Sequence, residues 1–291
     1  MATSVSSLTL PSSRTLSYAL TPVPSKSDAP VVILSNPLAG PFATWDHVVP
    51  KLTSEGFAVL RYDQPGHGAS SVPADLSSTT LEVLADDVRE LLSYLSISQV
   101  HAWIGVSMGA ATGVVFAAKY PGLIGKLVVC NTISCSPLRA GGADIFDPMI
   151  REARETGSMD GTVQSILEHW FGLAWMSANP DETRRVRQIM LTTSIDGFDT
   201  CCAALRSDTF DLLPLAEKAG QGIDGALFVA GENDIDSPEH MLRLRDGVQR
   251  GLQKKDSQAS IRFEIIKDAG HVSYIDGYGQ FIAVITEFLR Q

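Results

Sequence analysis

Residues 101–120 restrict the possible folds of this chain more than any other stretch. An apolar run at 101–104 leads into Gly105-Val106-Ser107-Met108-Gly109, and a small-residue, helix-compatible run at 110–119 follows. The pattern predicts a strand, a sharp turn and a helix, with Ser107 at the apex. A turn this tight puts its apex residue in a strained backbone conformation. It also leaves no room for side chains at 105 and 109, where strand and helix approach. The Ser107 hydroxyl then stands clear of the sheet, and the Met108 N–H points where an oxyanion would form. The pentapeptide alone is a weak signal; the strand before it and the helix after it give it weight.

The rest of the chain supplies a frame for that turn. Residues 5–10 and 15–20 alternate around Pro11-Ser12-Ser13 and read as an edge hairpin. A short continuous apolar run at 31–34 reads as a strand buried on both faces, and 57–62, 100–104 and 127–130 read as further strands. Helical patterns separate them, at 45–54, at 80–95 and after the Ser107 turn. Parallel strands need such crossovers, so the expected class is α/β with a mostly parallel sheet. The rhythm breaks after about residue 133. Helical stretches at 147–155, 162–170, 181–192 and 197–206 replace strands, and an insertion of this length is expected to form its own layer. The sheet pattern resumes at 226–230 and 261–266, with helices at 239–250 and 279–290. The expected division is a core at 1–133, a helical cap at 134–216 and the rest of the core at 217–291.

Charge and cysteine content narrow the function classes. The 291 residues carry a formal net charge of −10, which argues against nucleic acid or an anionic membrane as a main partner. Cys130, Cys135, Cys201 and Cys202 have neither zinc spacing nor a credible disulfide framework. Reduced thiols and a cytoplasmic setting are expected. The first residues lack a basic segment followed by a long apolar one, and no apolar run reaches the ~18 residues that span a bilayer. A monomer or homodimer acting on a small molecule is the expectation.

A serine hydroxyl needs a base and a group that orients the base. Both are expected beyond the ends of later strands, in the order Ser, Asp or Glu, His. His271 follows the strand at 261–266 and is the candidate base. Asp234 follows the strand at 226–230 and is the candidate orienting acid, with Asp236 and Glu232 as rivals; Asp268 reads as a turn former. Pro37 has no N–H, so Leu38 is the candidate second oxyanion donor beside Met108. His67 reads as a loop-fixing residue. His169, Trp170, Phe171 and Trp175 are candidate pocket residues, and Arg139 and Arg206 are candidate partners for a substrate carboxylate. No metal-ligand spacing occurs, and neither metal nor cofactor is expected.

These residues resemble the α/β-hydrolase fold superfamily and, within it, the 3-oxoadipate enol-lactonase group. The likeness is carried by Leu34-Ser-Asn-Pro-Leu38, Arg61-Tyr-Asp-Gln-Pro-Gly-His-Gly-Ala-Ser70 and Gly105-Val-Ser-Met-Gly109. Val129-Cys-Asn-Thr132, His169-Trp-Phe171, Cys201-Cys-Ala-Ala-Leu-Arg206, Gly231-Glu-Asn-Asp234 and Gly270-His271 extend it. The resemblance implies a Ser107–Asp234–His271 triad, backbone oxyanion donors at Leu38 and Met108, a helical cap, and hydrolysis of a small ester or lactone through an acyl-enzyme. The same triad would also serve a C–C bond hydrolase or a perhydrolase, and a low-turnover binding module of the same fold is a reading from a different class.

Overall fold

The apolar run at 31–34 forms β3 (Val31–Ser35), and Val32, Ile33 and Leu34 are fully buried, so both sheet faces are covered there. β1 (Ser6–Thr9) and β2 (Thr15–Thr21) precede it as the hairpin the alternation predicts, with Leu8 opposite Leu16. α1 (Val48–Ser54), β4 (Ala58–Tyr62), α2 (Leu81–Tyr94), β5 (Val100–Val106), α3 (Met108–Lys119) and β6 (Ile124–Cys130) complete the first half. Four helices follow: α4 (Asp147–Thr156), α5 (Asp160–Ala178), α6 (Pro180–Met190) and α7 (Ile195–Arg206). The chain then runs through α8 (Leu213–Gln221), β7 (Gly225–Gly231), α9 (Pro238–Gln253), β8 (Arg262–Ile266), α10 (Ser273–Asp276) and α11 (Tyr278–Arg290). This is a computed structural model, and it describes residues 4–24, 26–234 and 238–291.

The eight strands form one sheet in the order β1-β2-β4-β3-β5-β6-β7-β8. β1, β2 and β4 pair antiparallel; β4, β3 and β5 to β8 are parallel. Parallel strands end at one edge, so the segments after β3, β5, β6, β7 and β8 collect there. The chain reverses its lateral direction between β3 and β5, and such switch points open a crevice at the carboxyl ends. Helix α2 follows from its sequence: Thr80 Oγ1 accepts the Val83 N–H at 3.2 Å as an N-cap, and Leu81, Leu84, Val88, Leu91 and Leu92 turn one apolar face inward.

Two glycines at the central turn show why strand and helix come so close. A Cβ on Gly105 would lie 2.4 Å from the Gly109 carbonyl oxygen, and one on Gly109 would lie 2.3 Å from the Ser35 oxygen. Backbone cannot yield as a side-chain tip can. Gly109→Ala is therefore expected to destabilise the fold by about 3 kcal/mol, read as the shift in the urea midpoint. A change below 0.5 kcal/mol, on the order of an ordinary surface substitution, would contradict this packing.

Helix α8 has no counterpart in the expected pattern, which placed a junction at 216/217. It buries Ala216, Ala219 and Gly220 and packs on α3 and α9, alongside the sheet helices. Its buried face is made of small residues, which carry little hydrophobic periodicity. Helix α5 runs on beyond the 162–170 expected, broken at Gly172, where φ is 72° and ψ is 151°.

Candidate active site

β5 stops at Val106, and Ser107 takes φ 55°, ψ −121° before α3 begins. That φ lies in the left-handed region, and the cost is met by a turn fixed on both sides. The Ser107 N–H donates to the Cys130 carbonyl at 2.9 Å, and the Ser107 carbonyl accepts from Ala110 and Ala111, each at 3.0 Å. The hydroxyl itself makes no hydrogen bond among the described residues.

His271 sits in the segment between β8 and α10. Its N–H donates to the Trp170 carbonyl at 3.0 Å, an acceptor that the break of α5 at Gly172 releases from the helix ladder. One residue back, the Gly270 N–H donates to Asp276 Oδ2 at 2.6 Å. Three residues on, Tyr274 stacks on Trp45 with centroids 3.7 Å apart, and its hydroxyl donates to Thr44 Oγ1 at 2.9 Å. The loop is thus tied on three sides. Burial raises the Asp276 carboxyl from its ordinary 3.8 to about 6, and its Oδ1 is buried without a hydrogen-bond partner among the described residues. Between those two pH values the folded chain holds a proton that the unfolded chain has lost. Stability contributed by this group is full below pH 3.8 and is lost as pH rises to about 6. In Asp276→Asn the amide oxygen can still accept from Gly270, so the slope of stability against pH over this window should flatten. An unchanged slope in the variant would contradict the assignment.

The His271 Nδ1–H faces both oxygens of Asp234, at 3.2 Å each. Asp234 is buried at the end of β7, and Asn131 Nδ2 donates to its Oδ2 at 2.6 Å. With Nδ1 engaged, Nε2 is the nitrogen left to take a proton. Of the rivals, Glu232 instead accepts the Asp268 N–H at 3.0 Å, and Asp236 lies outside the described residues. Asp268 adopts φ 59°, as a turn former would. In the sequence Asn131 contributes to the likeness through Val129-Cys-Asn-Thr132, with no chemical role assigned to it. It stands at φ 45° directly after β6 and donates its N–H to Val229. A polar residue that tolerates the left-handed region, one position past a buried strand at the carboxyl edge, is the signal that could have marked it.

The Leu38 segment is set by His67. The Ala39 N–H donates to His67 Nε2 at 3.0 Å, and His67 Nδ1–H donates to the Pro65 carbonyl at 2.9 Å. This pairing requires the neutral ring, and burial lowers the His67 pKa to about 4. Ala39 is thereby occupied, whereas the Leu38 and Met108 N–H groups have no acceptor among the described residues.

Leu38, Ser107, Met108, Asn131, Asp234 and His271 all line one cavity of about 430 Å³. Its other walls are mainly apolar, from Ile133, Ile145, Phe146, Met149, Ile166 and Leu205. Of the six pocket candidates, His169 and Trp170 line it and the other four do not. Phe171 stacks on Trp175 at 4.4 Å, and Trp175 faces a separate groove beside His47 and Tyr274. Arg139 is held by Asp211 at 3.1 Å, and Arg206 by Asp144 at 2.7 Å. The ligating atoms of His169, Asp234 and His271 lie within 4.8 Å of one another, a spacing that could hold a metal ion. Their wide separation in sequence hides that grouping from any spacing motif.

Comparison with known proteins gives a consistent picture. The model of the alpha/beta hydrolase fold family matches residues 30–179. The 3-oxoadipate enol-lactonase 1 of Acinetobacter baylyi is 27% identical over 90% of both chains. RutD of Agrobacterium fabrum, assigned as a carbamate hydrolase, is 30% identical over 76% of this chain and 82% of its own. The crystal structure of the enol-lactonase from Burkholderia xenovorans LB400 superposes with a TM-score of 0.84 at 28% identity, covering 98% of this chain and 100% of that one.

Proposed function

We propose that this chain, which belongs to the α/β-hydrolase fold family, cleaves a small ester or lactone through a Ser107–His271–Asp234 triad and an acyl-enzyme. The observation that carries the reading is the convergence on one cavity of Ser107, His271 and two backbone N–H groups without an acceptor among the described residues, with His271 Nδ1 held by a buried carboxylate. Ser107 Oγ attacks the carbonyl carbon as its proton passes to His271 Nε2. Asp234 stabilises the imidazolium, and the Leu38 and Met108 N–H groups receive the oxyanion. Collapse expels the alcohol, which takes the proton from His271. In a lactone the leaving alkoxide stays tethered to the acyl group. Water, deprotonated by His271, then attacks the acyl-enzyme and releases the acid.

Helices α4 to α7 serve as a cap, since Phe146, Met149, Ile166, His169, Trp170 and Leu205 reach the cavity from them or from their flanks. The chemistry of the lining needs no cofactor. The four free cysteines suit a reducing, cytoplasmic setting, and no helix among the described residues is long and apolar enough to cross a membrane.

Hydrolysis of p-nitrophenyl butyrate and of a simple γ-lactone tests the reading. Saturable turnover of either, abolished by a serine-directed phosphonate, is the expected result. Phosphonate-insensitive hydrolysis, or no hydrolysis of any ester or lactone, would overturn it.

A further inference from the structure

We propose that the cavity accepts a neutral, largely apolar acyl group and excludes substrates whose acyl end carries a free carboxylate. This rests on the hydrolase reading above. An adipate-derived enol-lactone has one carboxyl closed into the ring and the other free, so a site built for it must meet a permanent anion. The lining holds neither arginine nor lysine among the described residues. Residues 1–3, 25 and 235–237 contain none in the sequence either.

The layer above the site does not supply the missing cation. All seven arginines between residues 134 and 216 are paired with carboxylates. The same stretch has no lysine. Arg139 and Arg206, the two that sequence suggested for a substrate carboxylate, are spent on Asp211 and Asp144. The carboxylate in the lining is Asp234, already engaged by His271 and Asn131. His169 and His271 are the remaining titratable groups in the lining; an imidazole is not the permanent, forked cation that a guanidinium is. A carboxylate drawn into walls of isoleucine, phenylalanine, methionine and leucine would lose its hydration without a partner. An alkyl or ring substituent of several carbons gains by the same transfer.

The test compares p-nitrophenyl hexanoate with mono-p-nitrophenyl adipate, equal in acyl chain length and differing in the terminal carboxylate. At pH 8, kcat/KM should favour the neutral ester by at least about 100-fold. Equal rates, or a preference for the adipate ester, would overturn the proposal. A phosphonate adduct on Ser107 without hydrolysis of the hexanoate would overturn the substrate class and leave the nucleophile standing. Absence of both adduct and hydrolysis would overturn the hydrolase reading itself. Ile145 is 56% exposed and lines the cavity, so Ile145→Arg adds a cation without burying it. It should narrow the neutral-to-anionic ratio roughly tenfold; an unmoved ratio in a folded variant would show that charge is not what discriminates.

Discussion

Replacing Ser107 with alanine is expected to lower ester kcat by about 10⁴ to 10⁶-fold while the thermal midpoint moves by no more than about 2 °C. The two halves of this expectation have separate causes. The rate falls because the Ser107 hydroxyl, which lines the cavity with His271, is the nucleophile of the proposed reaction. The fold survives because the hydroxyl makes no hydrogen bond among the described residues, so its removal strands no partner. The turn is held by backbone, through the Cys130 carbonyl and the start of α3, and alanine keeps that backbone. Hydrolysis at the wild-type rate by pure variant protein would contradict the assignment. A large loss of stability would contradict the account of the turn.

Asp234→Asn is expected to cost about 10⁴-fold in kcat, with a smaller effect on KM. The carboxylate accepts from two donors at once, Asn131 Nδ2 at 2.6 Å and the His271 Nδ1–H at 3.2 Å. An amide has one acceptor oxygen and one NH₂. With its NH₂ in the place of Oδ2, the asparagine turns the buried contact with Asn131 repulsive. With its NH₂ in the place of Oδ1, the oxygen keeps Asn131, but an NH₂ then also stands 3.2 Å from His271 Nδ1. That favours the ring protonated on Nε2, which cannot serve as the base. Retention of more than a tenth of wild-type kcat in the variant would show that Asp234 does not set the tautomer.

Much of this arrangement was legible in the sequence because it depends on local chain geometry. The strand at 31–34 was readable from four consecutive apolar residues. The Ser107 turn was readable from glycines at 105 and 109 whose Cβ atoms would collide with backbone. Asp234 and His271 were readable because parallel strands end at one edge, so residues just past β7 and β8 must meet there. The stretch 134–216 was legible as helices and not as a surface. Its apolar residues pack against one another and against the cavity, and periodicity does not tell the two apart. Phe171 and Trp175 satisfy each other, while Ile145, Met149, Ile166 and Leu205, none of them a pocket candidate from the sequence, form the walls. The arginines mislead for a related reason. An arginine in that stretch is as free to meet a carboxylate of the same stretch as one of a ligand, and all seven do the former. Helix α8 went unread because alanine and glycine on its buried face leave no hydrophobic stripe.

The most direct test of the central claim is peptide mapping by mass spectrometry after treatment with a fluorophosphonate, in parallel with loss of ester hydrolysis. One phosphonyl group per chain, on the peptide containing Ser107, appearing at the rate at which activity disappears, is the predicted result. Full loss of activity with the adduct on another residue, or continued hydrolysis by protein fully labelled at Ser107, would contradict it.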